Sequence, residues 1–346
     1  MWKFVLSIAC MVLLGTCVTA NAGARPASAD PPRRCTDFLV KPIDKDYRGK
    51  RNFNAELLAA SFGIYAAASE DAYANNDQQF LFLPSRNPSN LGWKRLEWQP
   101  KSALPHRYSN SLTGLSFDTY YQAIRKCLYV MVAARGTDGP SAINDWLTNF
   151  SIIPPFLPFN QYKEIETQFH LLKEHIKARY PSYDVQFIAT GHSLGGGLAI
   201  HLAKCFNDVS AVTFDTSFVH NDLLCKKRNP SVVQIYEKQE AIEVVRTILG
   251  RSQQKHENDA KLSTYGINPI SGKTGPIDQH SMRKLATGML RLALMCAREN
   301  ARDCEILKDL GPIGDKVAYQ LYCVNYRTSL KLRGSRLAHD EACDPL

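Results

Sequence analysis

The sequence has no apolar run long enough to cross a membrane. Its longest one, residues 4–18, falls short of the ~20 residues that a spanning helix needs. It follows Lys3 and precedes Ala20-Asn21-Ala22, a small-x-small sequence of the kind that signal peptidase cleaves. We therefore predict a signal peptide over residues 1–22, cleaved after Ala22, a leader segment over residues 23–50, and a secreted or periplasmic mature protein.

Two further absences narrow the class of function. No Cys-x-x-Cys pair is present, which argues against a structural metal. Lysine and arginine do not cluster in a stripe, which argues against a nucleic-acid partner. Loss of the signal removes one lysine from the 42 basic residues against 33 acidic ones, so the mature chain stays moderately basic. This charge permits attraction to anionic surfaces. We expect no metal, no other cofactor and no nucleic acid.

Cysteine is present in an even number after the signal. An even number in a secreted chain indicates that some disulfides form, although the pairing stays open. The eight mature cysteines are at positions 35, 127, 205, 225, 296, 304, 323 and 343.

Short apolar runs typical of strands alternate with segments of helical periodicity. Predicted strands cover residues 115–123, 127–134, 185–189, 209–214 and 232–236, and predicted helices cover residues 54–69, 162–179, 198–206, 282–297 and 303–310. This alternation predicts an α/β domain over residues 51–282, with a mostly parallel sheet flanked by helices. Residues 283–346 are predicted to be a helical, cysteine-containing C-terminal extension.

Residues 188–197 read IATGHSLGGG and place a serine between glycines, after a strand and before a helix. This order is typical of a nucleophile elbow, in which a strained turn exposes the serine hydroxyl and the start of the helix offers backbone N–H groups to an oxyanion. A phosphate-binding loop of the Walker type would need a lysine that is missing here. The pattern predicts that Ser193 is a nucleophile.

A serine nucleophile needs a histidine base and a carboxylate, in the chain order Ser, acid, His. That order favours His280, which lies in a loop before a helix, with His220 and His256 as competitors. We expect His192 to point away from the serine and His201 to be a surface or packing residue. Between Ser193 and His280, two acidic residues follow predicted strands, namely Asp215 and Glu240.

From residue 132 to about residue 285 the chain resembles the fungal-type (class 3) triacylglycerol lipases, a family with the α/β-hydrolase fold. Ala134-Arg135-Gly136-Thr137 is similar to the family's Phe-Arg-Gly-Ser/Thr segment, and residues 141–150 (SAINDWLTNF) are similar to its lid. The resemblance implies an oxyanion hole formed by the Thr137 backbone N–H, aided by its hydroxyl, and the Leu194 N–H. It also favours Glu240 as the acid, in the place of the family's aspartate, whereas Asp215 stands where the family tends to have glycine.

The candidate lid has a bulky apolar face. Ile143, Trp146, Leu147 and Phe150 recur at helical spacing. They could pack on the sheet, but the resemblance favours a lid over an acyl groove that opens at a lipid surface.

The expected activity is hydrolysis of lipid acyl esters through an acyl-enzyme, as a triacylglycerol lipase or a phospholipase that meets the lipid–water interface transiently. Two alternatives remain. One is an esterase on soluble or cell-wall esters, like the feruloyl esterases of the same family, and the other is a non-catalytic binding protein that retains the fold. The apolar lid favours the lipid substrate.

Overall fold

The structure is a computed structural model that describes residues 35, 55–73, 93–99, 104–124, 126–136, 159–217, 225, 230–238, 262–267 and 280–298. All of them belong to the structural unit Cys35–Leu346. The helices are α1 (Ala55–Asp71), α2 (Phe159–Arg179), α3 (Leu194–Cys205) and α4 (Met282–Arg298). The strands are β1 (Lys94–Arg95), β2 (Arg107–Ser109), β3 (Ser116–Ile124), β4 (Cys127–Ala134), β5 (Asp184–His192), β6 (Val209–Phe214), β7 (Val232–Glu237) and β8 (Leu262–Ile267).

The strands form one sheet in the order β1-β3-β4-β5-β6-β7-β8, with β2 also paired to β3. Strands β4 to β8 are parallel, and β1, β2 and β4 pair with β3 in the antiparallel direction. Helix α2 connects β4 to β5, and α3 connects β5 to β6. The predicted mostly parallel sheet with flanking helices is confirmed.

Side chains of the central strands are buried on both faces of the sheet. In β4, Tyr129 and Met131 join one apolar core, whereas Leu128 and Val130 join the other. Helices α1 and α4 cover the first core, and α2 and α3 cover the second. This two-sided burial explains why β4 reads as a continuous apolar run rather than an alternating one.

The boundaries of β5 and α3 differ from the prediction. Strand β5 continues to His192, and α3 begins at Leu194 rather than at residue 198, so that three consecutive glycines lie in its first turn. Glycine has a low helix propensity, which made this turn look like a loop in the sequence. Tertiary packing at the elbow overrides that propensity. The predicted helix over residues 303–310 lies outside the described residues.

Helix α4 contributes to the core beneath the sheet. Leu285 and Met289 are buried in the same cluster as α1, and Arg283 Nε donates to Glu70 Oε1 of α1 at 2.8 Å. Residues 282–298 therefore pack directly against the helix that precedes the first strand. The domain boundary at residue 282 stays a prediction.

Two disulfides lie among the described residues, and they join Cys35 to Cys127 and Cys205 to Cys225. The prediction that some mature cysteines pair is thus confirmed. The cysteines at 304, 323 and 343 lie outside the described residues.

None of the helices in the described part of the chain is long and apolar enough to cross a membrane.

Candidate active site

The candidate catalytic residues follow the carboxyl ends of parallel strands. Gly136 comes two residues after β4, Ser193 follows β5, and Asp215 follows β6. Because the carboxyl ends of parallel strands meet at one edge of a sheet, residues distant in sequence are brought to one place. This edge is where α/β folds bind their ligands.

Ser193 occupies the turn between β5 and α3 with φ 55° and ψ −123°, outside the regions that residues other than glycine favour. Its backbone is held on both sides, because its N–H donates to Phe214 O at 3.0 Å and its carbonyl accepts from Ser217 N at 3.1 Å. Within the described residues, its hydroxyl makes no capping hydrogen bond to α3. The fold thus stores strain at this serine, and among the described residues its hydroxyl is not used to cap α3.

Two glycines let β5 and α3 approach each other. A Cβ on Gly191 would lie 2.5 Å from the carbonyl carbon of Gly195, and a Cβ on Gly195 would collide with the backbone of Ala134. Both positions therefore require glycine, because the strand and the helix come too close for a side chain. A side chain at either position would push the serine turn away from the end of β4.

His280, His192 and Asp215 form a buried cluster beside the serine. The ring centroids of His192 and His280 are 4.5 Å apart, and His192 Nε2 lies 3.9 Å from Asp215 Oδ2. One nitrogen from each histidine and one carboxylate oxygen all lie within 4.8 Å of one another. The side chains are close enough for exchange of a proton or a hydrogen bond after small movements.

The sequence predicts that His192 points away from the serine, and the structure places its side chain against the candidate base His280. Its ring packs against His280, and its Nδ1 lies 2.9 Å from the hydroxyl of Tyr73. Burial, and secondly the proximity of His280, hold the pKa of His192 well below its usual value of 6.5. At neutral pH His192 is therefore an uncharged hydrogen-bonding group.

Tyr73 joins the elbow to the segment that follows β4. Its hydroxyl contacts His192 and accepts a hydrogen bond from the backbone N–H of Gly136 at 3.1 Å. Gly136 has no room for a side chain, because a Cβ there would collide with this hydroxyl and lie 2.5 Å from the carbonyl oxygen of His192. Sequence reasoning missed Tyr73, since no motif marks a tyrosine 119 residues away from its partner.

A buried ionic network fixes the end of α1, two residues before Tyr73. Arg107 binds both carboxylate oxygens of Asp118 at 2.5 and 2.6 Å and donates to the backbone oxygen of Asp71 at 3.3 Å. The hydroxyl of Tyr120 donates to Asp71 Oδ2 at 2.5 Å. Bidentate Arg–carboxylate pairing is geometrically specific, so β2 and β3 set the position from which Tyr73 reaches the elbow.

Asp215 has an unusual backbone for a residue with a side chain. Its φ is 41°, and its carboxylate accepts a hydrogen bond from Glu237 N at 2.7 Å. Glycine adopts a positive φ without steric cost, whereas an aspartate in this conformation is strained. Here the aspartate is held in the same conformation by bonds to β7.

Leu194 is the first residue of α3, so its amide is one of those that lack an acceptor within the helix, as a donor to an oxyanion requires. The other predicted residues of the site lie outside the described residues. They are Thr137, Glu240 and the lid residues Ile143, Trp146, Leu147 and Phe150.

The low pKa of His192 predicts that the chain becomes less stable in acid. Below the ordinary histidine pKa of about 6.5, the unfolded chain binds a proton that the folded chain excludes. The free energy of unfolding should thus be unaffected by this group above that pH and fall as the pH drops toward the folded pKa. We expect this slope to approach ~1.4 kcal/mol per pH unit, the value for one proton.

Urea denaturation from pH 7.5 to 5 measures this effect in the wild type and in His192→Asn. The variant should show the shallower dependence on pH. Equal slopes would mean that His192 is not kept neutral by the fold.

A mostly parallel sheet covered by helices on both faces, with a strained serine in a Gly-His-Ser-Leu-Gly turn after its central strand, defines the chain as an α/β-hydrolase. Residues 64–267 match the family model described as phospholipase-like, the Tle-like phospholipase domain. The match spans more than half of the chain, which therefore belongs to this family. The chain is an ester hydrolase of the lipase type, and the predicted kinship with lipases is confirmed.

Several solved structures are similar to the chain at low identity. They include a lipase from Rhizopus microsporus var. chinensis (13% identity, 64% of this chain and 75% of that chain covered, TM-score 0.38), the triacylglyceride lipase of Rhizomucor miehei (14%, 55% and 74%, TM-score 0.37) and a triacylglycerol lipase from Penicillium expansum (15%, 56% and 74%, TM-score 0.38). A search of curated proteins gave no match.

Proposed function

We propose that the chain is a secreted serine hydrolase that cleaves acyl esters of lipids, with Ser193 as nucleophile, His280 as general base and Glu240 as the acid that orients it. The observation that carries the proposal is the backbone of Ser193. A buried turn holds this serine at φ 55° beside a pair of histidines, at the carboxyl edge of the sheet. Strain of this kind persists where function requires it.

The reaction is acyl transfer to water. The hydroxyl oxygen of Ser193 attacks the ester carbonyl while His280 takes its proton, and the alcohol leaves with that proton. Water then attacks the acyl-serine, giving up a proton to His280, and the fatty acid departs as the serine regains its hydrogen. The Leu194 and Thr137 amides bind the oxyanion in both steps.

The acid is assigned from its place in the chain and from the role that Asp215 already has. Glu240 comes three residues after the end of β7, and His280 comes after β8. The carboxylate of Asp215 is bound to Glu237 N through Oδ1, and its Oδ2 faces His192. We therefore propose that Asp215 positions His192 and the ends of β6 and β7, and that Glu240 accepts the imidazole N–H of His280.

Tyr73 serves as a positioning residue for the oxyanion hole. Gly136 immediately precedes Thr137, and its N–H donates to the Tyr73 hydroxyl. The same hydroxyl contacts His192, the residue before the nucleophile. One side chain therefore fixes the distance between the two segments that supply the oxyanion donors.

Replacing Tyr73 with Phe should slow catalysis without weakening substrate binding. The Gly136 N–H would lose its acceptor, a loss of about 1 kcal/mol for a typical hydrogen bond, which corresponds to roughly a five- to tenfold lower kcat. Steady-state kinetics should show a lower kcat with KM nearly unchanged. Tyr108→Phe is the matched control, because its hydroxyl binds Glu164 away from the elbow. Equal kinetics in the two variants would remove Tyr73 from the mechanism.

The lipid substrate class follows from the phospholipase-like family and from the apolar segment over residues 143–150. A helix with a bulky apolar face can cover an acyl groove in water and expose it at a lipid surface. The mature chain keeps 41 basic residues (42 less Lys3) against 33 acidic ones, and this positive net charge favours adsorption to anionic phospholipid over a neutral droplet.

Turnover of p-nitrophenyl esters of increasing chain length, below and above their solubility limits, tests this substrate class. Activity should rise with chain length and increase when the ester aggregates. Phospholipid vesicles and triacylglycerol emulsions, compared at equal ester concentration, then separate a phospholipase from a triacylglycerol lipase. A preference for short, dissolved esters would instead assign the chain to esterases acting on soluble or cell-wall esters.

A further inference from the structure

A second cluster of reactive side chains lies at the far end of α3 from the serine. His201 and Cys205 are four residues apart on α3, so they share one face of the helix. Glu166 of α2 and Cys225 complete the cluster, and one donor atom from each of the four lies within 4.8 Å of all the others. Twelve helical residues separate Ser193 from the end of this helix, about 18 Å.

The donor atoms converge on one point. His201 Nε2 lies 2.7 Å from Glu166 Oε1 and 3.4 Å from Cys205 Sγ, and the Cys205 Sγ to Glu166 Oε1 distance is 3.8 Å. Because Cys205 is joined to Cys225 and a disulfide sulfur carries no hydrogen, Cys205 Sγ cannot donate a hydrogen bond to His201 or Glu166. A structural disulfide does not require an imidazole and a carboxylate beside one of its sulfurs.

These separations are close to those of a tetrahedral zinc site. With Zn–S near 2.3 Å and Zn–N or Zn–O near 2.0 to 2.1 Å, ligand atoms lie about 3.3 to 3.8 Å from one another. Both contacts of Cys205 fall in this range, and His201 Nε2 and Glu166 Oε1, now 2.7 Å apart, need to separate by at least about 0.6 Å. The two sulfurs reach the required distance once the bond between them is broken.

We propose that the reduced form of the chain binds one Zn²⁺ through the thiolates of Cys205 and Cys225, His201 Nε2 and a carboxylate oxygen of Glu166. A dithiol reductant supplies two electrons and two protons, which break the disulfide into two thiols while the reductant becomes a disulfide. Zinc then displaces both thiol protons to solvent. Coordination thereby replaces the covalent link between α3 and Cys225. The bridge through zinc persists in a reducing environment, where the disulfide does not.

The surroundings suit this exchange. Cys205, Cys225 and Glu166 are partly exposed, so a reductant and an ion can reach them, whereas His201 is buried. The ring of Tyr162 packs edge-on against the His201 imidazole at 4.8 Å and restricts its orientation. Of the surface and packing roles that the sequence allows for His201, its burial and this contact indicate packing. Its Nε2 can in addition act as a zinc ligand. No Cys-x-x-Cys motif marks this site, because its ligands come from three separate segments.

The test uses the full mature chain, reduced with a water-soluble phosphine, which unlike a dithiol competes weakly for zinc. Titration with Co²⁺ should give thiolate-to-cobalt charge-transfer bands and tetrahedral d–d bands that saturate at one ion per chain, and Zn²⁺ should abolish them. Alkylation followed by mass spectrometry should show that Zn²⁺ protects Cys205 and Cys225 at least tenfold.

His201→Ala and Glu166→Gln should each weaken zinc binding at least tenfold, and the double variant Cys205→Ser/Cys225→Ser should lose it. His170→Ala is the matched control, because this histidine is exposed on α2 and should leave binding unchanged. Protection mapped to other cysteines, absence of the cobalt bands, or a disulfide that cannot be reduced without unfolding would each overturn the proposal. Should His201→Ala fail to fold, Glu166→Gln, which preserves the side-chain shape, still decides the outcome.

Discussion

Ester hydrolysis should fall by about 10⁴-fold or more in Ser193→Ala, while the fold is retained, because loss of a serine nucleophile removes the covalent route altogether. The fold should tolerate this change, since the described residues show no capping bond from the hydroxyl to α3 and the turn is fixed by backbone hydrogen bonds. Release of p-nitrophenol from a long-chain ester measures the rate, and circular dichroism and thermal unfolding check the fold.

Ser210→Ala is the matched control. Ser210 lies within β6, paired with Ile188 of β5, and is only partly exposed. The Ser210→Ala variant should hydrolyse the ester at the wild-type rate. Loss of a serine nucleophile lowers the rate by far more than about a hundredfold. A Ser193→Ala protein that retained more than about one hundredth of the wild-type activity would therefore exclude an acyl-enzyme on Ser193.

The comparison of Glu240→Gln with Asp215→Asn should give the second largest effect. Loss of the acid leaves the histidine without the carboxylate that stabilises its protonated form, and such a change lowers kcat by about 10³ to 10⁴-fold. We expect that loss in Glu240→Gln. In Asp215→Asn the amide oxygen can still accept from Glu237 N, so we expect a loss of roughly tenfold, through a displaced His192.

The pH dependence of kcat/KM provides a second measurement for both variants. Removing the acid partner should lower the apparent pKa of the base, because the carboxylate favours the protonated imidazole. A shift confined to Asp215→Asn, together with the larger loss of activity, would assign the acid to Asp215. Two variants with wild-type turnover would show that the triad assignment is wrong.

Much of the fold could be predicted from the sequence where local patterns and tertiary packing agree. Strand β4 is predicted with the bounds it has, because a chain segment buried on both faces is apolar throughout. Helix α2 begins within a few residues of its prediction, since its apolar residues recur at helical spacing. Strand β8 was not predicted. Its sequence, LSTYGI, contains polar residues and a glycine, and it becomes a strand through pairing with β7 along its whole length.

The sequence alone determined the elbow and its neighbours. A serine between two glycines, placed after an apolar strand, requires a tight turn, because a side chain at Gly191 or Gly195 would collide with backbone. The clash at Gly191 lies within residues 188–197, whereas the clash at Gly195 is with Ala134 of β4. The candidate base also followed from chain order, which depends on topology rather than on contacts.

Only the tertiary structure decided which side chains surround the serine. His192 and Asp215 meet because β5 and β6 are parallel and end at the same edge of the sheet, and Tyr73 reaches His192 from the turn after α1. The Glu166, His201 and Cys205 cluster also depends on tertiary structure, because it forms where α2 packs against α3. Contacts between residues 35 or 119 positions apart depend on how whole elements pack, and no local pattern of residues encodes them.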